Sequence, residues 1–262
     1  MAKKETYLTC PDSNVFEGMT SISAIIKKYE ENHICQKINK VIVDNAKIKS
    51  KSREIAFLKR KSTELGFELE FSNSETIDKL TTGNTHGGII ALCNPPSIPY
   101  LIDKIEDIKP DGVYVLLDGI EDPYNFGYSV RSIYAAGCDG VILPCRNWMS
   151  VAGIVAKSSA GASELIDMYI CEPEDAIDVF KSKNYKIICS GIRNSVSMYE
   201  ADMSKPLLLI VGGEKRGVSS AVEAKSDLVA RIEYGREFKG SLSAASAATI
   251  MIYEIFRQNL NK

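Results

Sequence analysis

Three segments in the second half of this 262-residue chain each join an apolar run to a polar, glycine-containing loop that opens a helix-like run. They are Asp122-Pro-Tyr-Asn-Phe-Gly-Tyr-Ser-Val-Arg131, Leu209-Ile-Val-Gly-Gly-Glu-Lys-Arg-Gly217, and the stretch from Ile232-Glu-Tyr-Gly to Gly240-Ser-Leu-Ser243. Loops of this kind place free backbone N–H groups and polar side chains at the carboxyl edge of a parallel sheet, where α/β proteins bind ligands. Three such loops predict one composite site.

The rest of the second half repeats a strand, loop and helix rhythm. Helix-like runs lie at 128–136, closed by Gly137, and at 244–256, and strand-like runs lie at 113–117, 141–143, 165–170, 185–190, 207–211 and 228–232. Short apolar strands separated by helices predict an α/β fold with a parallel sheet covered on both faces.

The first part of the chain has its own alternation and ends at a cluster of prolines. Helix-like runs at 21–29 and 52–65 alternate with strand-like runs at 41–44, 67–71 and 89–94. Asn94-Pro-Pro-Ser-Ile-Pro99 then breaks regular structure, because prolines lack a backbone donor and restrict their neighbours. We therefore predict one domain over residues 1–96 and a second over 97–262, with a linker near 94–100.

The charge is unevenly distributed, although the net charge is only −2. Residues 1–96 carry 14 basic and 12 acidic side chains, against 18 and 22 in residues 97–262. Seven cations crowd one stretch in which Glu54 is the single acid: Lys47, Lys49, Lys51, Arg53, Lys59, Arg60 and Lys61. Clustered cations release counterions from a phosphate backbone, so the stretch is a candidate RNA-binding surface. A solvated, lysine-rich helix face fits the same pattern.

The sequence gives little support to several other classes of protein. No apolar run reaches about 18 residues, and Lys3-Lys4 is followed by polar residues, so we expect a cytoplasmic protein. The seven cysteines include no Cys-x-x-Cys pair, which predicts reduced thiols. His33 and His86 are the only histidines and lie far apart in sequence, so we expect no metal site. A nucleotide-binding oxidoreductase is disfavoured because no G-x-G-x-x-G loop follows a strand.

The three segments resemble, in order and spacing, the motifs of the SpoU (TrmH-type) branch of the SPOUT methyltransferases, ribosomal-RNA guanosine type. Asn125, Gly127 and Arg131 match Asn-x-Gly-x-x-x-Arg, and Gly212, Glu214 and Gly217 match Gly-x-Glu-x-x-Gly. The third motif, Ser-Leu-Asn, reads Ser241-Leu242-Ser243 here. Residues 155–164 also resemble a family segment. The resemblance covers the C-terminal domain and implies a deep trefoil knot, which periodicity cannot show.

The resemblance implies transfer of a methyl group from S-adenosylmethionine to a ribose 2′-hydroxyl of RNA, most readily ribosomal RNA, with transfer RNA as the alternative. It marks Arg131, Asn125 and Glu214 as catalytic. Cofactor contacts are implied at Gly191, Gly212, Gly213, Glu214, Ile232, Tyr234, Ser241, Leu242 and Ser243. Arginine stays protonated in proteins, so we expect Arg131 to stabilise developing alkoxide charge rather than accept a proton. The family also implies a homodimer in which Arg131 completes the partner's site.

The N-terminal domain resembles the family's small α/β/α substrate-binding domain. The residues that carry this likeness are Phe16-Glu-Gly and Thr85-His-Gly-Gly-Ile-Ile-Ala91. His86 is either an RNA contact or a turn residue ahead of a strand. Asn125 is expected to cap a helix that begins near Gly127.

The chain departs from the family at two positions. Ser243 replaces an asparagine, and Glu233 replaces a proline. Serine offers one hydroxyl instead of an amide, so a family member that binds RNA without turnover is a further alternative.

Overall fold

The computed structural model describes residues 7–9, 15–32, 38–81, 86–94, 97–145, 151–213 and 215–260. The chain forms two compact units. One comprises Met1–Leu8, Ile98–Arg146 and Ile166–Lys262, and the other comprises Thr9–Ser97 and Asn147–Leu165. We refer to them as the seven-stranded unit and the four-stranded unit. None of the described helices is long and apolar enough to cross a membrane.

The seven-stranded unit is built on a parallel sheet with the strand order β11-β13-β10-β12-β7-β8-β9. Its strands are β7 (Val113–Asp118), β8 (Gly140–Leu143), β9 (Asp167–Ile170), β10 (Lys186–Ser190), β11 (Val196–Ser197), β12 (Leu207–Gly212) and β13 (Leu228–Arg231). The helices of this unit are α4 (Pro123–Ala135), α6 (Pro173–Ser182), α7 (Ser220–Lys225) and α8 (Ala244–Asn259).

The central strands of this sheet are apolar on both faces. Every residue from Leu207 to Ile210 in β12 is fully buried, as are Val115 and Leu116 in β7. Continuous apolar strands are typical of a parallel sheet that is covered on both sides. The predicted α/β class and parallel sheet are confirmed, whereas the trefoil knot stays a prediction.

The four-stranded unit has a mixed sheet with the order β2-β5-β3-β4. Its strands are β2 (Val15–Glu17), β3 (Ile38–Asp44), β4 (Glu68–Ser72) and β5 (Ile89–Cys93), and only β3 and β4 pair in parallel. Its helices are α1 (Gly18–Asn32), α2 (Ser52–Leu65), α3 (Ser74–Leu80) and α5 (Ala152–Ser158). Phe16, Ile25, Val43, Leu58 and Ile89 are among the residues of its apolar core. A separate two-stranded sheet joins β1 (Tyr7–Thr9) to β6 (Ser97–Pro99).

The segment Asn147–Leu165 belongs to the four-stranded unit, which differs from the predicted range of 97–262 for the second domain. A Cβ on Gly153 would lie 2.3 Å from the Val15 carbonyl oxygen, so helix α5 lies directly against strand β2. Lys157 Nζ pairs with Glu17 Oε2 at 2.6 Å. These contacts are long-range in sequence, and periodicity carries no sign of them. The roles of the two predicted domains stay predictions.

Candidate active site

Four loops follow neighbouring strands at one edge of the seven-stranded sheet. They begin after β7, β10, β12 and β13, which are consecutive in the order β13-β10-β12-β7. Because these strands are parallel, their carboxyl ends lie at the same edge. The predicted cofactor residues Gly191, Gly212 and Gly213 stand at the starts of two of these loops.

The loops after β12 and β7 pack against each other through bare backbone. A Cβ on Gly213 would lie 2.1 Å from the carbonyl oxygen of Gly119, and a Cβ on Gly212 would lie 2.3 Å from the carbonyl carbon of Gly217. The amide of Gly217 also donates to the Gly213 carbonyl at 2.9 Å. A side chain at position 212 or 213 would collide with main chain, so any residue other than glycine would force the loops to shift.

The loop after β10 is joined to both of its neighbours. The amide of Gly191 donates to the Ala230 carbonyl of β13 at 3.0 Å. On the other side, the Gly212 amide donates to Ser190 Oγ at 3.4 Å. These bonds make neighbours of the loops that begin near Gly191 and Gly213, while a composite cofactor site there stays a prediction.

The loop after β13 carries the other predicted cofactor residues. The Leu242 amide donates to the Tyr234 hydroxyl at 3.2 Å, which closes the loop on itself. Ser243 is the N-cap of α8, and its hydroxyl accepts from the Ser246 amide at 3.1 Å. Ile232 is partly buried, and Ser241 is exposed. Ser243 thus has a local capping role that serine and asparagine perform about equally well.

Ion pairs connect residues of these loops, and the sequence did not predict them. Arg231 Nη2 pairs with Glu233 Oε1 at 2.8 Å, while Arg231 Nη1 donates to the Ser195 carbonyl of the loop after β10. Lys215, after β12, pairs with Glu121, after β7. Glu233, which stands where the family has proline, therefore helps to orient an arginine that links two loops.

Helix α4 begins earlier than predicted. Its N-cap is Asp122, whose carboxylate accepts from the Tyr124 and Asn125 amides, and Pro123 occupies the first helical turn. The expectation that Asn125 caps a helix starting near Gly127 was wrong. Backbone N–H groups in the first turn of a helix have no acceptor within the helix, so proline, which has no N–H, loses no bond there. Asp122-Pro123 is therefore a stronger helix-start signal than Asn125.

Arg131 lies on the third turn of α4 and is exposed. Within the described residues, its guanidinium makes no hydrogen bond or ion pair, whereas Asn125 is partly buried and its carbonyl accepts from Ser129 Oγ at 2.8 Å. No direct bond joins Arg131 to the glycine loops in the part of the chain described here. Glu214, the third predicted catalytic residue, lies outside the described residues.

The predicted RNA-binding cations of the four-stranded unit fall into two groups. Lys61 lies between Glu30 and Glu64, with 12% of its side chain exposed, and Arg60 Nε lies 3.7 Å from Glu64. Lys59 Nζ lies 5.9 Å from the centre of the Phe71 ring. Lys51 Nζ lies 3.5 Å from Glu54. By contrast, Lys47, Lys49 and Arg53 are exposed and have no ion-pair partner among the described residues.

His86 is 7% exposed and has both ring nitrogens engaged. Nδ1 accepts from the Gly88 amide at 3.0 Å, so Nε2 carries the proton and donates to Asp78 Oδ1 at 2.9 Å. Direct contact of these nitrogens with RNA would require breaking the bonds that hold the turn. The geometry supports the turn-residue alternative for His86.

The fold is that of a parallel α/β protein with a candidate ligand site at the carboxyl edge of its sheet, and sequence comparison identifies the family. A model of the SpoU rRNA methylase family matches residues 112–253. The chain therefore belongs to the SpoU methylase family.

Two staphylococcal relatives bear names that place them in the TrmH family of tRNA/rRNA methyltransferases. The Staphylococcus saprophyticus protein is 37% identical over 145 residues, which cover 55% of this chain and 58% of the relative. The Staphylococcus haemolyticus protein is 32% identical over 177 residues, which cover 66% of this chain and 71% of the relative. The match with the first relative thus spans less than two thirds of its length.

Solved structures share the fold over nearly the whole chain. An RNA 2′-O ribose methyltransferase has a TM-score of 0.76 at 20% identity, covering 94% of this chain and 88% of its own. The SpoU methyltransferase AviRb from Streptomyces viridochromogenes, in complex with the cofactor AdoMet, has a TM-score of 0.76 at 20% identity, with 95% and 91% covered. At these identities, the likeness shows the fold.

Proposed function

We propose that this chain transfers a methyl group from S-adenosylmethionine, its cofactor, to a ribose 2′-hydroxyl of RNA. The observation that carries this proposal is the convergence of the SpoU motif loops at one sheet edge, where Gly191, Gly212 and Gly213 lie together. Structural neighbours of the same fold include AdoMet complexes, one of AviRb and one of a Sinorhizobium meliloti rRNA methyltransferase.

The loop residues fit an adenosine-containing ligand. Ile192 after β10 is 84% exposed, and Phe238 after β13 is 59% exposed. Large apolar side chains left open beside glycine-lined backbone offer a surface against which a purine and ribose can pack. Ile232, Tyr234, Ser241, Leu242 and Ser243 belong to the same loop after β13 and complete the proposed cofactor site.

The chemistry needs little covalent assistance from the protein. The bound cofactor supplies an electrophilic methyl group on a sulfonium, and the chain has to align the ribose oxygen with it. Arginine is a permanent cation in proteins, and within the described residues the planar guanidinium of Arg131 makes no hydrogen bond or ion pair, so it is suited to a phosphate and to the alkoxide charge that develops on the ribose oxygen. Asn125 and Glu214 are proposed to orient Arg131.

A homodimer is proposed from the surface formed by α4 and α8. The two helices pack together, with Thr249 Oγ1 donating to Ser132 Oγ at 2.8 Å. Their outer faces expose five aromatic side chains, namely Tyr124, Tyr128, Tyr134, Tyr253 and Phe256. Aromatic residues at this density are typical of interfaces, so a second copy is the proposed partner for this face. Completion of the partner's site by Arg131 is what the family resemblance implies, and it forms part of this proposal.

Ribosomal RNA is the proposed substrate, with transfer RNA as the alternative, and the exposed lysines of the four-stranded unit are the proposed means of holding it. The cytoplasmic location and the absence of a metal cofactor stay predictions. In the described part of the chain, no group of three His, Cys, Asp or Glu side chains is placed to hold a metal ion.

The test is incubation of the full chain with methyl-labelled S-adenosylmethionine and either ribosomal or transfer RNA, followed by digestion to nucleosides. We expect the label in a 2′-O-methylated nucleoside from ribosomal RNA. Label in a base-methylated nucleoside would contradict the ribose assignment. Absence of label from both RNAs would contradict the enzyme assignment.

A further inference from the structure

Two turns meet at the carboxyl end of β3 in the four-stranded unit, and Asp44 holds them together. Its carboxylate accepts from the Ala46 amide at 2.9 Å and from Ser74 Oγ at 2.7 Å. Its own amide donates to the Gly88 carbonyl at 2.8 Å. The Ser74 hydroxyl bond lowers the pKa of the Asp44 carboxyl, so this buried group is ionised at neutral pH. Asp44 therefore fixes the start of the 45–51 turn, the start of α3 and the turn before β5.

His86 fixes the turn before β5 from the other side. Its neutral ring accepts from the Gly88 amide and donates to Asp78, which allows one tautomer only. Gly88 has a φ of +77°, and a Cβ there would lie 2.6 Å from Lys47 Cγ. The Lys47 side chain therefore lies across the bare backbone of Gly88.

Cations surround an exposed stretch of this backbone. Gly87 is exposed with a φ of +63°, and the Cβ that it lacks would lie 3.9 Å from Lys51 Nζ. Lys47, Lys49 and Arg53 are exposed around the same turn and make no ion pair among the described residues. After the Ser74 hydroxyl bond, the charge of Lys47 also helps to lower the pKa of the Asp44 carboxyl, so Lys49 and Arg53 carry the charges most available to an anionic ligand. No side chain at Gly87 blocks close approach.

The other cations of the 47–61 stretch have contacts within the protein, including Lys51, whose Nζ lies 3.5 Å from Glu54. Lys61 is held by Glu30 and Glu64, and Arg60 lies beside Glu64 and 5.7 Å from the Phe57 ring. Lys59 packs over Phe71. Contacts within the protein therefore separate two groups that sequence spacing presents as one cluster.

We propose that the edge formed by the 44–51 turn, the first turn of α2 and the 86–88 turn, here named the β3-edge surface, binds the phosphate backbone of RNA. Lys47, Lys49 and Arg53 contact phosphates, and Asp44 and His86 are positioning residues. Lys59, Arg60 and Lys61 take no part. The proposal rests on the proposed RNA methyltransferase function, because RNA is the polyanion that such an enzyme must hold.

The test compares two triple variants of the full-length protein that each remove three positive charges from the four-stranded unit. Lys47→Gln/Lys49→Gln/Arg53→Gln removes the unpaired cations of the β3-edge surface. Lys59→Gln/Arg60→Gln/Lys79→Gln is the matched control and includes Lys79, which is exposed and paired with Glu75. Binding to deproteinised ribosomal RNA is measured by filter retention between about 50 and about 200 mM salt.

The first variant is expected to bind at least about tenfold more weakly, with the slope of log K against log salt reduced by about two to three, since each lost phosphate contact removes nearly one unit. The control is expected to stay within about twofold of the wild type with an unchanged slope. Equal weakening of both variants would overturn the proposal in favour of diffuse charge attraction.

Calorimetric titration with S-adenosylmethionine separates this inference from the proposed function. Both variants should keep the wild-type affinity for the cofactor, and a cooperative unfolding transition in each shows that it is folded. If the wild type methylates RNA and the first variant binds RNA as tightly as the wild type, the proposed role of the β3-edge surface is wrong, whereas the proposed methyltransferase function is supported. If the wild type neither binds the cofactor nor methylates RNA, both fail.

Two His86 variants test its positioning role. In His86→Asn, the side-chain oxygen can still accept from the amide two residues on, so the turn should persist and RNA binding should stay within about threefold. His86→Ala loses that bond and should weaken RNA binding about tenfold or more, with cofactor affinity unchanged. Equal RNA affinity in the alanine variant and the wild type would remove His86 from the proposal.

Discussion

The candidate site of the seven-stranded unit is built mainly from backbone, whereas the candidate RNA surface of the four-stranded unit is built from side chains. At the first, glycines at 191, 212 and 213 let loops pack within van der Waals distance of one another. At the second, lysines and arginines differ in which acids and aromatic rings lie nearby. A site built from backbone needs glycines at fixed spacing, so it can be recognised in the sequence as a motif. A side-chain surface is visible in the sequence only as a cluster of similar residues. The folded structure then decides which of those residues have partners and which do not.

The largest expected effect concerns Arg131. Arg131→Ala should lower single-turnover methyl transfer by about 100-fold to 1,000-fold, the usual cost of removing a group that stabilises charge in the transition state. Cofactor affinity by calorimetry should stay within about twofold, because this residue acts on the RNA side of the reaction.

Arg131→Lys is the control for this prediction and should not restore the rate, since an ammonium lacks the planar fork. A lysine variant with near wild-type turnover would show that position 131 supplies only a point charge.

Gly213 tests whether the loop site depends on bare backbone. In Gly213→Ala, the new Cβ would lie 2.1 Å from the Gly119 carbonyl oxygen, so the two loops must move apart. We expect the free energy of unfolding to fall by roughly 1–3 kcal/mol and cofactor affinity to fall about tenfold, as measured by urea denaturation and calorimetry.

Gly235→Ala is the matched control, since a Cβ at Gly235 has no atom within 4 Å. Stability and affinity should remain those of the wild type within about 0.5 kcal/mol. Equal effects at both positions would argue that the close approach at Gly213 has no special importance.

Glu164 lies in the segment Asn147–Leu165, which belongs to the four-stranded unit, and it provides a test of burial there. Burial raises the pKa of its carboxyl from 4.5 to about 7. Folding therefore takes up a proton between these values, so this group's contribution to stability falls as pH rises through that window. Glu164→Gln should gain roughly 1–2 kcal/mol relative to the wild type between about pH 5 and about pH 8 in urea denaturation. The exposed Glu31→Gln serves as the control, and an identical pH profile in the two variants would contradict this role of burial.

The smallest expected effect is at Ser243. Asparagine can accept the same bond from the Ser246 amide, so Ser243→Asn should change the free energy of unfolding by a few tenths of a kcal/mol and keep or raise methyl transfer. Ser243→Ala should lower stability by about 1 kcal/mol through loss of the cap. A large loss of turnover in the asparagine variant would show that the third motif has a different geometry in this chain.

Much of the fold could be predicted because its elements follow local rules. Helix α2 (Ser52–Leu65) has the predicted bounds, and β12 (Leu207–Gly212) extends the predicted run by one residue. Helices α3, α6 and α7 were not predicted, since seven, ten and six residues give little periodicity to detect. The helix predicted at 128–136 starts too late, because the start signal is Asp122-Pro123.

The sequence allowed the glycines of the candidate site to be predicted, but not its ion pairs. Arg231 with Glu233 and Lys215 with Glu121 depend on which loops are neighbours, which follows from the strand order β13-β10-β12-β7. Likewise, the partners of Lys61 include Glu30, which is 31 positions away in the sequence. Sequence spacing does not show contacts between residues so far apart in the chain. The structure was therefore needed to separate the paired cations of the basic cluster from the unpaired ones.

The central claim is that S-adenosylmethionine binds at the carboxyl edge of the seven-stranded sheet, independently of the RNA surface. Calorimetric titration of the wild type, the Gly213→Ala variant and the Lys47→Gln/Lys49→Gln/Arg53→Gln variant tests it directly. We predict saturable binding with one cofactor per chain in the wild type, equal affinity in the triple variant, and weaker binding in Gly213→Ala. No binding of S-adenosylmethionine by the folded wild type, with tight binding of NAD in its place, would contradict the account.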